Sequence, residues 1–434
     1  MSPVTTGIAG IILLVVLMLL RFPVAFAMAF TGIAGFIYLA GPTAAFGLLA
    51  RDIFDQFSSY PLSVIPMFIL MGSFAFASGI STRLFDTAYK WVGQLRGGLT
   101  VATVLACSGF AAICGSTAAT AATMGKVALP EMKKYGYNDT LATGTVAAAG
   151  TLGILIPPST VLIIYGLLTE QSIGKLFVAG ILPGVLLSIF FVLTVLLICL
   201  RNPAMGPPGA ATTWREKWRS LNGIFEAAIL FGLAIGGLFL GWFSPTQAGA
   251  IGAIGALVIG LARRELSWKG FVEACKDGVR TSCMVIFIIT GAIIFGHFMA
   301  ISRIPFILVE WIEALALPTM GVVAMIALIF FIGGFFMDSM ALIVLLVPIL
   351  FPLLNDLGVD LIWFGVILVL VSEMGVITPP VGVNVFVIKG IAPDIPIERI
   401  FKGIFPFLGA LIICTIILMA FPVIATFLTQ FITY

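Results

Sequence analysis

The chain has 434 residues, of which 61% are hydrophobic and 9% charged; its mean hydropathy is +1.21 and its formal net charge is +3. These values exclude a soluble globular domain. Several apolar runs match the about 20 residues that span a bilayer core, whereas a membrane β-barrel needs short alternating segments. The composition therefore predicts an all-α polytopic protein in a lipid bilayer, with no nucleic-acid partner.

The predicted spans follow one another closely along the chain. The first run, 7–20, lacks a basic leader and continues into 22–40, so it is expected to be a membrane helix rather than a cleaved signal. The twelve spans are 7–20, 22–40, 61–80, 98–134, 139–168, 173–200, 221–242, 246–262, 280–300, 318–354, 360–388 and 403–431. Glycine, proline or polar residues interrupt the fourth, fifth, tenth and eleventh. Between spans, 201–220 is predicted to be a linker and 263–280 a helix on the membrane surface.

Lysine and arginine indicate the orientation of the chain. If the fourth and tenth spans are re-entrant hairpins, eighteen basic residues share one side and three lie on the other, with Lys126 inside a hairpin. The three are Arg51, Lys175 and Arg303, and the eighteen are Arg21, Arg83, Lys90, Arg96, Lys133, Lys134, Arg201, Arg215, Lys217, Arg219, Arg263, Arg264, Lys269, Lys276, Arg280, Lys389, Arg399 and Lys402. The bias predicts that both termini lie outside the cytoplasm.

An internal repeat with an offset of 222 residues relates the two halves of the chain. It is clearest at two proline pairs, Pro157–Pro158 in "GILIPPS" and Pro379–Pro380 in "GVITPPV". Three further matches are Pro130 with Pro352, Gly136 with Gly358, and Gly153 with Gly375. The loop 133–139 is basic and its counterpart 355–360 is acidic, as expected if the repeats cross the membrane in opposite directions.

The proline pairs are predicted to interrupt two helices within the membrane. Proline lacks an N–H donor and clashes with the preceding turn. Unwound backbone at membrane depth is tolerated where it is buried in protein or lines a wet cavity, and its freed groups bind ions or carboxylates. Pro157, Pro158, Pro379 and Pro380 are therefore expected to line a central cavity with Glu373. A kink that serves packing alone is the alternative.

A second polar break precedes each proline pair. In "CGSTAATAATMG" (114–125), small and hydroxyl residues replace the expected apolar ones; close helix packing is the alternative explanation. At the 222-residue offset, Ser116 aligns with Asp338 and Thr117 with Ser339, within "GGFFMDSMAL" (333–342). A carboxylate in such an apolar run is costly and indicates a functional site.

The available ligand types favour Na⁺ over a transition metal. Hydroxyl, carboxylate and carbonyl oxygens are hard ligands. His297 is the only histidine, which excludes a histidine-based metal site, and the six cysteines form no C-x-x-C motif. No resident cofactor is expected, only Na⁺ as a coupling ion.

Four motifs in order resemble the large membrane subunit (M, or DctM-like) of tripartite ATP-independent periplasmic (TRAP) transporters. They are "CGSTAATAATMGKVALPEMKKYGY", "GILIPPST", "FMDSMALIVLLVPILFPLL" and "GVITPPVGVNVFVIKG", and the similarity runs from about residue 4 to 431. It implies inverted repeats with two re-entrant hairpins and two broken helices, moving as an elevator. It also implies Na⁺-coupled import of an organic acid across a bacterial inner membrane, where the lysine and arginine bias predicts that both termini are periplasmic.

The resemblance further implies partners and residues. A periplasmic binding protein would deliver the acid, and a small membrane subunit is expected as a separate chain because few residues precede the first span. The implied first Na⁺ site is Gly115, Ser116, Thr117, Gly153, Ile156 and Ser159; the second is Asp338, Ser339, Thr378, Val381 and Asn384. Many members carry Asn where Ser372 stands and Pro where Ser339 stands, which leaves the second ligand set open.

The expected organisation has five parts. They are scaffold helices with the small-subunit contact (1–60), the first repeat (61–200), a cytoplasmic linker (201–220), scaffold helices with the surface helix (221–280) and the second repeat (281–434). A self-sufficient dicarboxylate carrier or antiporter of related architecture is the alternative function. An intramembrane enzyme would need a nucleophile–base pair or metal ligands, which the spans lack, and an ATP-driven pump would need a G-x-x-x-x-G-K-[ST] loop.

Overall fold

A computed structural model describes residues 2–20, 22–314, 317–380 and 382–432, and in these ranges all regular structure is helical. The first half contains α1 (Pro3–Leu19), α2 (Val24–Ala40), α3 (Pro42–Ser58), α4 (Val64–Ala77), α5 (Ile80–Val92), α6 (Gly98–Cys114), α7 (Thr117–Lys134), α8 (Asp139–Gly150), α9 (Leu152–Leu155), α10 (Thr160–Leu168) and α11 (Ile173–Arg201). A linker with the short helix α12 (Trp214–Ser220) follows.

The second half repeats this order. It contains α13 (Asn222–Phe231), a π-helical turn (Gly232–Gly236), α14 (Gly237–Phe239), α15 (Pro245–Ala262), α16 (Trp268–Ser302), α17 (Ile304–Ala314), α18 (Thr319–Gly334), α19 (Ser339–Asp356), α20 (Leu361–Ile377), α21 (Val383–Ile391), α22 (Ile397–Ala420) and α23 (Val423–Thr426). The predicted fold class is confirmed: α6–α7 and α18–α19 are the two hairpins, and α8–α10 and α20–α21 the two broken helices.

Helix bounds extend the repeat beyond the predicted limits. The offset of 222 residues maps α7 onto α19 and the segment α8–α9 onto α20, residue for residue at both ends. It also maps α2 onto α15 within one residue, and α3 onto the first part of α16. The N-terminal helices, predicted to lie outside the repeats, therefore have counterparts in the second half. Pro23 and Pro245, at the start of α2 and α15, also match at this offset.

Several elements differ from the predicted spans. No separate surface helix occupies 263–280, because α16 runs unbroken from Trp268 to Ser302. At about 1.5 Å per residue, this 35-residue helix is longer than a bilayer core is thick. The helices α3, α5 and α17 lie where no span was predicted, since their charged residues lower the local hydropathy. Length and composition qualify six helices of the described chain as membrane spans, or eight if each bent pair is one span.

Close crossings between helices tie the two halves together. The helix α2 packs along α16, and its counterpart α15 packs along α4. A Cβ at Gly32 would lie 2.9 Å from the carbonyl of Ile294, and one at Gly291 would lie 2.3 Å from the oxygen of Ala25. Small residues allow such approach, which supplies the packing that holds helices together in lipid.

The broken helices occupy the centre of this framework. Every residue from Trp363 to Ile377 in α20 is buried, as is every residue from Leu141 to Gly150 in α8. Both segments are apolar on all faces, which is the pattern of a helix surrounded by protein. Polar groups within them are therefore held in fixed positions.

An ion-pair cluster joins α5 to the second half at the basic side of the molecule. Glu226 of α13, which is buried, pairs with Arg83 at 2.7 Å and with Arg263. Arg83 also pairs with Glu265 at 2.5 Å and donates to the Ser78 carbonyl. The linker packs nearby, where the indole of Trp91 donates to the Lys217 carbonyl. This cluster anchors the helix that leads into the first hairpin.

Candidate functional site

Each hairpin turns at a short polar tip, and one side chain of the tip caps the N-terminus of the following helix. At the first tip, Gly115 adopts φ +67°, a left-handed conformation that glycine accepts without strain. The Ser116 hydroxyl then accepts from the Ala119 amide and caps α7. At the second tip, the Asp338 carboxylate accepts from the Met340 amide and caps α19. The aligned pair Ser116 and Asp338 therefore has the same structural position in both repeats.

Both hairpin tips meet at one carboxylate, Glu373 of α20. The Thr117 hydroxyl donates to its Oε2 at 3.0 Å, and the Ser339 hydroxyl donates to its Oε1 at 2.8 Å. Thr117 and Ser339 are equivalent under the repeat, whereas the counterpart of Glu373 is Thr151. Only 2% of Glu373 is exposed, and no cationic side chain pairs with it in the described chain. Burying a carboxyl group in this way is costly and indicates a functional site.

The residues predicted for the first ion site come together. The Gly115 carbonyl accepts from the Thr160 hydroxyl at 2.9 Å, which joins the tip to the start of α10. Ser159 is buried and caps α10, and Ile156 is extended at the break between α9 and α10. Gly153 lies so close to the tip that a Cβ there would be 2.6 Å from the Ser116 carbonyl oxygen.

Thr120 belongs to this region although the sequence analysis did not select it. Its hydroxyl is buried without a hydrogen-bond partner and lies 2.6 Å from the position of a Cβ on Gly153. An oxygen in that state has a free lone pair for a cation. The signal for it was weak, because three threonines share the stretch 117–123 and only the fold shows which one faces Gly153.

The residues predicted for the second ion site are distributed differently. Asp338 and Ser339 stay together at the second tip, and Thr378 ends α20 with its hydroxyl donating to the Met374 carbonyl. Asn384 contacts the first repeat instead: its Nδ2 donates to the Ala147 carbonyl at 3.0 Å. Its Oδ1 is buried without a partner. Val381 lies outside the described residues.

A cavity of about 790 Å³ opens beside the two tips. Its polar lining contains Ser116, Thr117, Thr123, Lys126, Thr160, Glu265, Ser267, Glu273, Asp277, Arg280, Thr281, Asp338, Ser339 and Glu373. The size lies in the range of about 300–1,000 Å³ that holds small ligands. The first hairpin and the tip of the second form the hairpin wall, and α4 and α16 also contribute to the lining.

Glu373 lines this cavity, whereas the two proline pairs are not part of its lining. Pro157 and Pro158 are buried behind the first tip, where the Pro158 carbonyl lies 2.7 Å from the position of a Cβ on Gly115. Pro379 and Pro380 are exposed elsewhere. Both pairs form cis peptide bonds.

Comparison with known proteins identifies the family. The family model described as "Tripartite ATP-independent periplasmic transporter, DctM component" matches residues 11–424. The C4-dicarboxylate TRAP transporter large permease protein DctM of Pseudomonas aeruginosa is 35% identical over 87% of this chain and 88% of its own. The sialic acid TRAP transporter large permease protein SiaM of Vibrio cholerae is 32% identical over 92% and 93%.

Two further matches concern chain length and fold. The isethionate TRAP transporter permease protein DctMQ of Oleidesulfovibrio alaskensis is 35% identical over 87% of this chain but only 60% of its own. The crystal structure of the Alcanivorax borkumensis YdaH transporter shares the fold, with a TM-score of 0.64 at 18% identity, over 87% of this chain and 88% of that one. The multi-pass membrane architecture, the hairpin motifs and these matches lead to one conclusion: the chain belongs to the DctM family of TRAP transporter large permease proteins.

Proposed function

We propose that this permease couples inward Na⁺ movement to the import of an organic acid by an elevator motion of the two hairpins and two broken helices. The observation that carries the proposal is the convergence of Thr117 and Ser339, one from each hairpin, on Glu373 beside the cavity. A site shared by both hairpins moves as a unit with them. Ligand and ion bound there would cross the membrane together.

The oxygen groups at the tips support Na⁺ as the coupling ion. Thr120 Oγ1 and Asn384 Oδ1 are buried without partners, and each lies against the first hairpin or its broken helix. With the Ser116 carbonyl they offer hard neutral oxygens, the ligand type that suits an alkali cation. Asp338 and Ser339, with Thr378, would supply the second ion position.

The substrate class and partners follow from the family. The relatives named above carry C4-dicarboxylate, sialic acid or isethionate in their names. A C4-dicarboxylate, keto acid or sugar acid is the proposed cargo here, received from a periplasmic binding protein. A small membrane subunit would complete the permease in a bacterial inner membrane, with both termini periplasmic as the lysine and arginine distribution indicates. The chain is a transporter subunit rather than an enzyme.

The membrane potential can drive accumulation of the acid without ATP. Each net positive charge that enters contributes about 2.3 kcal/mol per 100 mV of membrane potential. A tenfold accumulation requires about 1.4 kcal/mol, so one net charge per cycle suffices.

Thermal unfolding tests the ion coupling directly. The purified protein is heated in NaCl, KCl and choline chloride at equal ionic strength, because a ligand of the folded state raises its stability by mass action. A rise specific to NaCl that shrinks in Ser116→Ala and Asp338→Asn supports the proposal. Equal unfolding temperatures in the three salts, with the small subunit co-expressed, would refute Na⁺ coupling.

Uptake into proteoliposomes separates the proposal from the self-sufficient carrier. Import that requires the binding protein supports the TRAP mechanism. Import at the same rate without that protein would favour the alternative.

A further inference from the structure

Two cationic side chains line the cavity and have no protein partner. They are Lys126 on α7 and Arg280 on α16. Within the described residues neither has a hydrogen bond or an ion pair. Both side chains are exposed, and an unpaired cation that lines a ligand-sized cavity attracts an anionic ligand.

Lys126 lies on the face of α7 that lines the cavity. It shares one face of α7 with Ala119, Ala122 and Thr123, and all four residues line the cavity. Its Cα lies ten residues beyond Ser116, about 15 Å along the helix axis. Side chains on a helix lean toward its N-terminus, so the ammonium group leans back toward the tip and Glu373.

A role in setting the membrane orientation of α7 does not account for Lys126. Lys133 and Lys134 already provide positive charge in the last turn of α7. To reach that end, Lys126 would have to extend toward the C-terminus of α7, against the lean of helical side chains. Its counterpart in the other repeat is Pro348. The repeated fold therefore forms without a cationic residue at this position in the second half.

Arg280 is the weaker candidate of the two for binding an anion. Glu273 and Asp277 lie on the same face of α16 and also line the cavity, so their charges offset that of the guanidinium. Glu265 lies on the same side of the cavity, and Asp338 and Glu373 lie at the tip end. The face of α7 that carries Lys126 contains no acidic residue that lines the cavity.

We propose that Lys126 binds the carboxylate or sulfonate group of the transported acid on the hairpin wall, with Arg280 as a second contact on α16. The inference rests on the proposed transport function and adds the residue that holds the anion. Since Lys126 belongs to the hairpin, it would travel with the acid, while Arg280 would meet the acid only when the cavity faces α16.

The test uses the purified permease, with its small subunit co-expressed, in saturating NaCl. Succinate, isethionate and N-acetylneuraminate are titrated separately, and affinity is read from the rise in unfolding temperature. For the acid that stabilises the wild type, Lys126→Met is expected to weaken binding at least tenfold and Arg280→Met less. Lys126→Arg should retain most of the affinity. Lys133→Met, whose pair with Asp394 is exposed, serves as the matched control and should have no effect.

The outcomes separate this inference from the proposed function. An intact NaCl-dependent rise in Lys126→Met shows that the fold and the ion sites persist. Equal acid affinity in the wild type and Lys126→Met would overturn the inference, as would a wild type that responds to Na⁺ but to none of the acids. Failure of the wild type to respond to Na⁺ would instead contradict the proposed function.

Discussion

Gly153 gives the most direct test of the contact between the first hairpin tip and the first broken helix. In Gly153→Ala, the added methyl group would lie 2.6 Å from the Ser116 carbonyl oxygen and 2.6 Å from the Thr120 hydroxyl. Ordinary contact begins at 3.4 Å, so the tip and the helix must separate by about 0.8 Å. That separation would move two oxygens of the proposed ion site apart.

The magnitude follows from two opposing effects. Forcing an extra methyl into a packed interior costs about 1–3 kcal/mol, while alanine gains about 0.5–1 kcal/mol over glycine in a helix. The net expected loss is about 1–2 kcal/mol of folding stability in the absence of ions. A larger effect is expected on ion binding, because cation–oxygen distances tolerate little change.

Thermal unfolding with and without NaCl measures both effects in one experiment. Gly153→Ala is expected to unfold at a lower temperature and to lose most of its NaCl-dependent rise. Gly409→Ala is the matched control, since no atom lies within 4 Å of a Cβ at that helical position. It should unfold at the same or a slightly higher temperature. A Gly153→Ala protein with the wild-type NaCl response would refute the placement of an ion at this contact.

Three further sets of substitutions test the remaining contacts. Glu373→Gln keeps the size of the side chain but removes its charge, so the NaCl-dependent rise in unfolding temperature should shrink; an unchanged rise would show that Glu373 takes no part in cation binding. Thr117→Val and Ser339→Ala each remove one hydrogen bond to Glu373 and should each cost about 1.5–3 kcal/mol of folding stability. A double-mutant cycle measured by chemical denaturation should show that the two losses are coupled. Simple additivity of the two losses would contradict a shared carboxylate. Glu226→Gln leaves Arg83 and Arg263 without their shared partner and should cost about 2 kcal/mol of folding stability, after allowance for the half-exposed Arg263. The control is Glu131→Gln, which breaks an exposed 3.8 Å pair with Lys134 and should cost less than about 1 kcal/mol in the same denaturation assay. Equal losses would show that the cluster is not structural.

Local physical rules determined much of this protein from its sequence. Apolar runs can lie only in a membrane or a core, and a proline pair must interrupt a helix, so the membrane class and both broken helices followed from residue type. The repeat followed from glycine and proline, which keep their positions because the backbone requires them. The tips were found because Ser116 and Asp338 are polar in apolar surroundings. The extent of the repeat was missed because it was matched only from Pro130 onward, although Pro23 and Pro245 align at the same offset.

Only the tertiary structure decided which polar groups share a site. Thr117 and Glu373 are 256 residues apart, and Asn384 meets Ala147 across 237 residues. No local pattern encodes such pairs, because they depend on how helices cross. The same holds for Lys126 and Arg280, which the sequence places in separate elements and the fold places at one cavity. Helix breaks are local properties of the chain, whereas a binding site is defined by distances that exist only after packing.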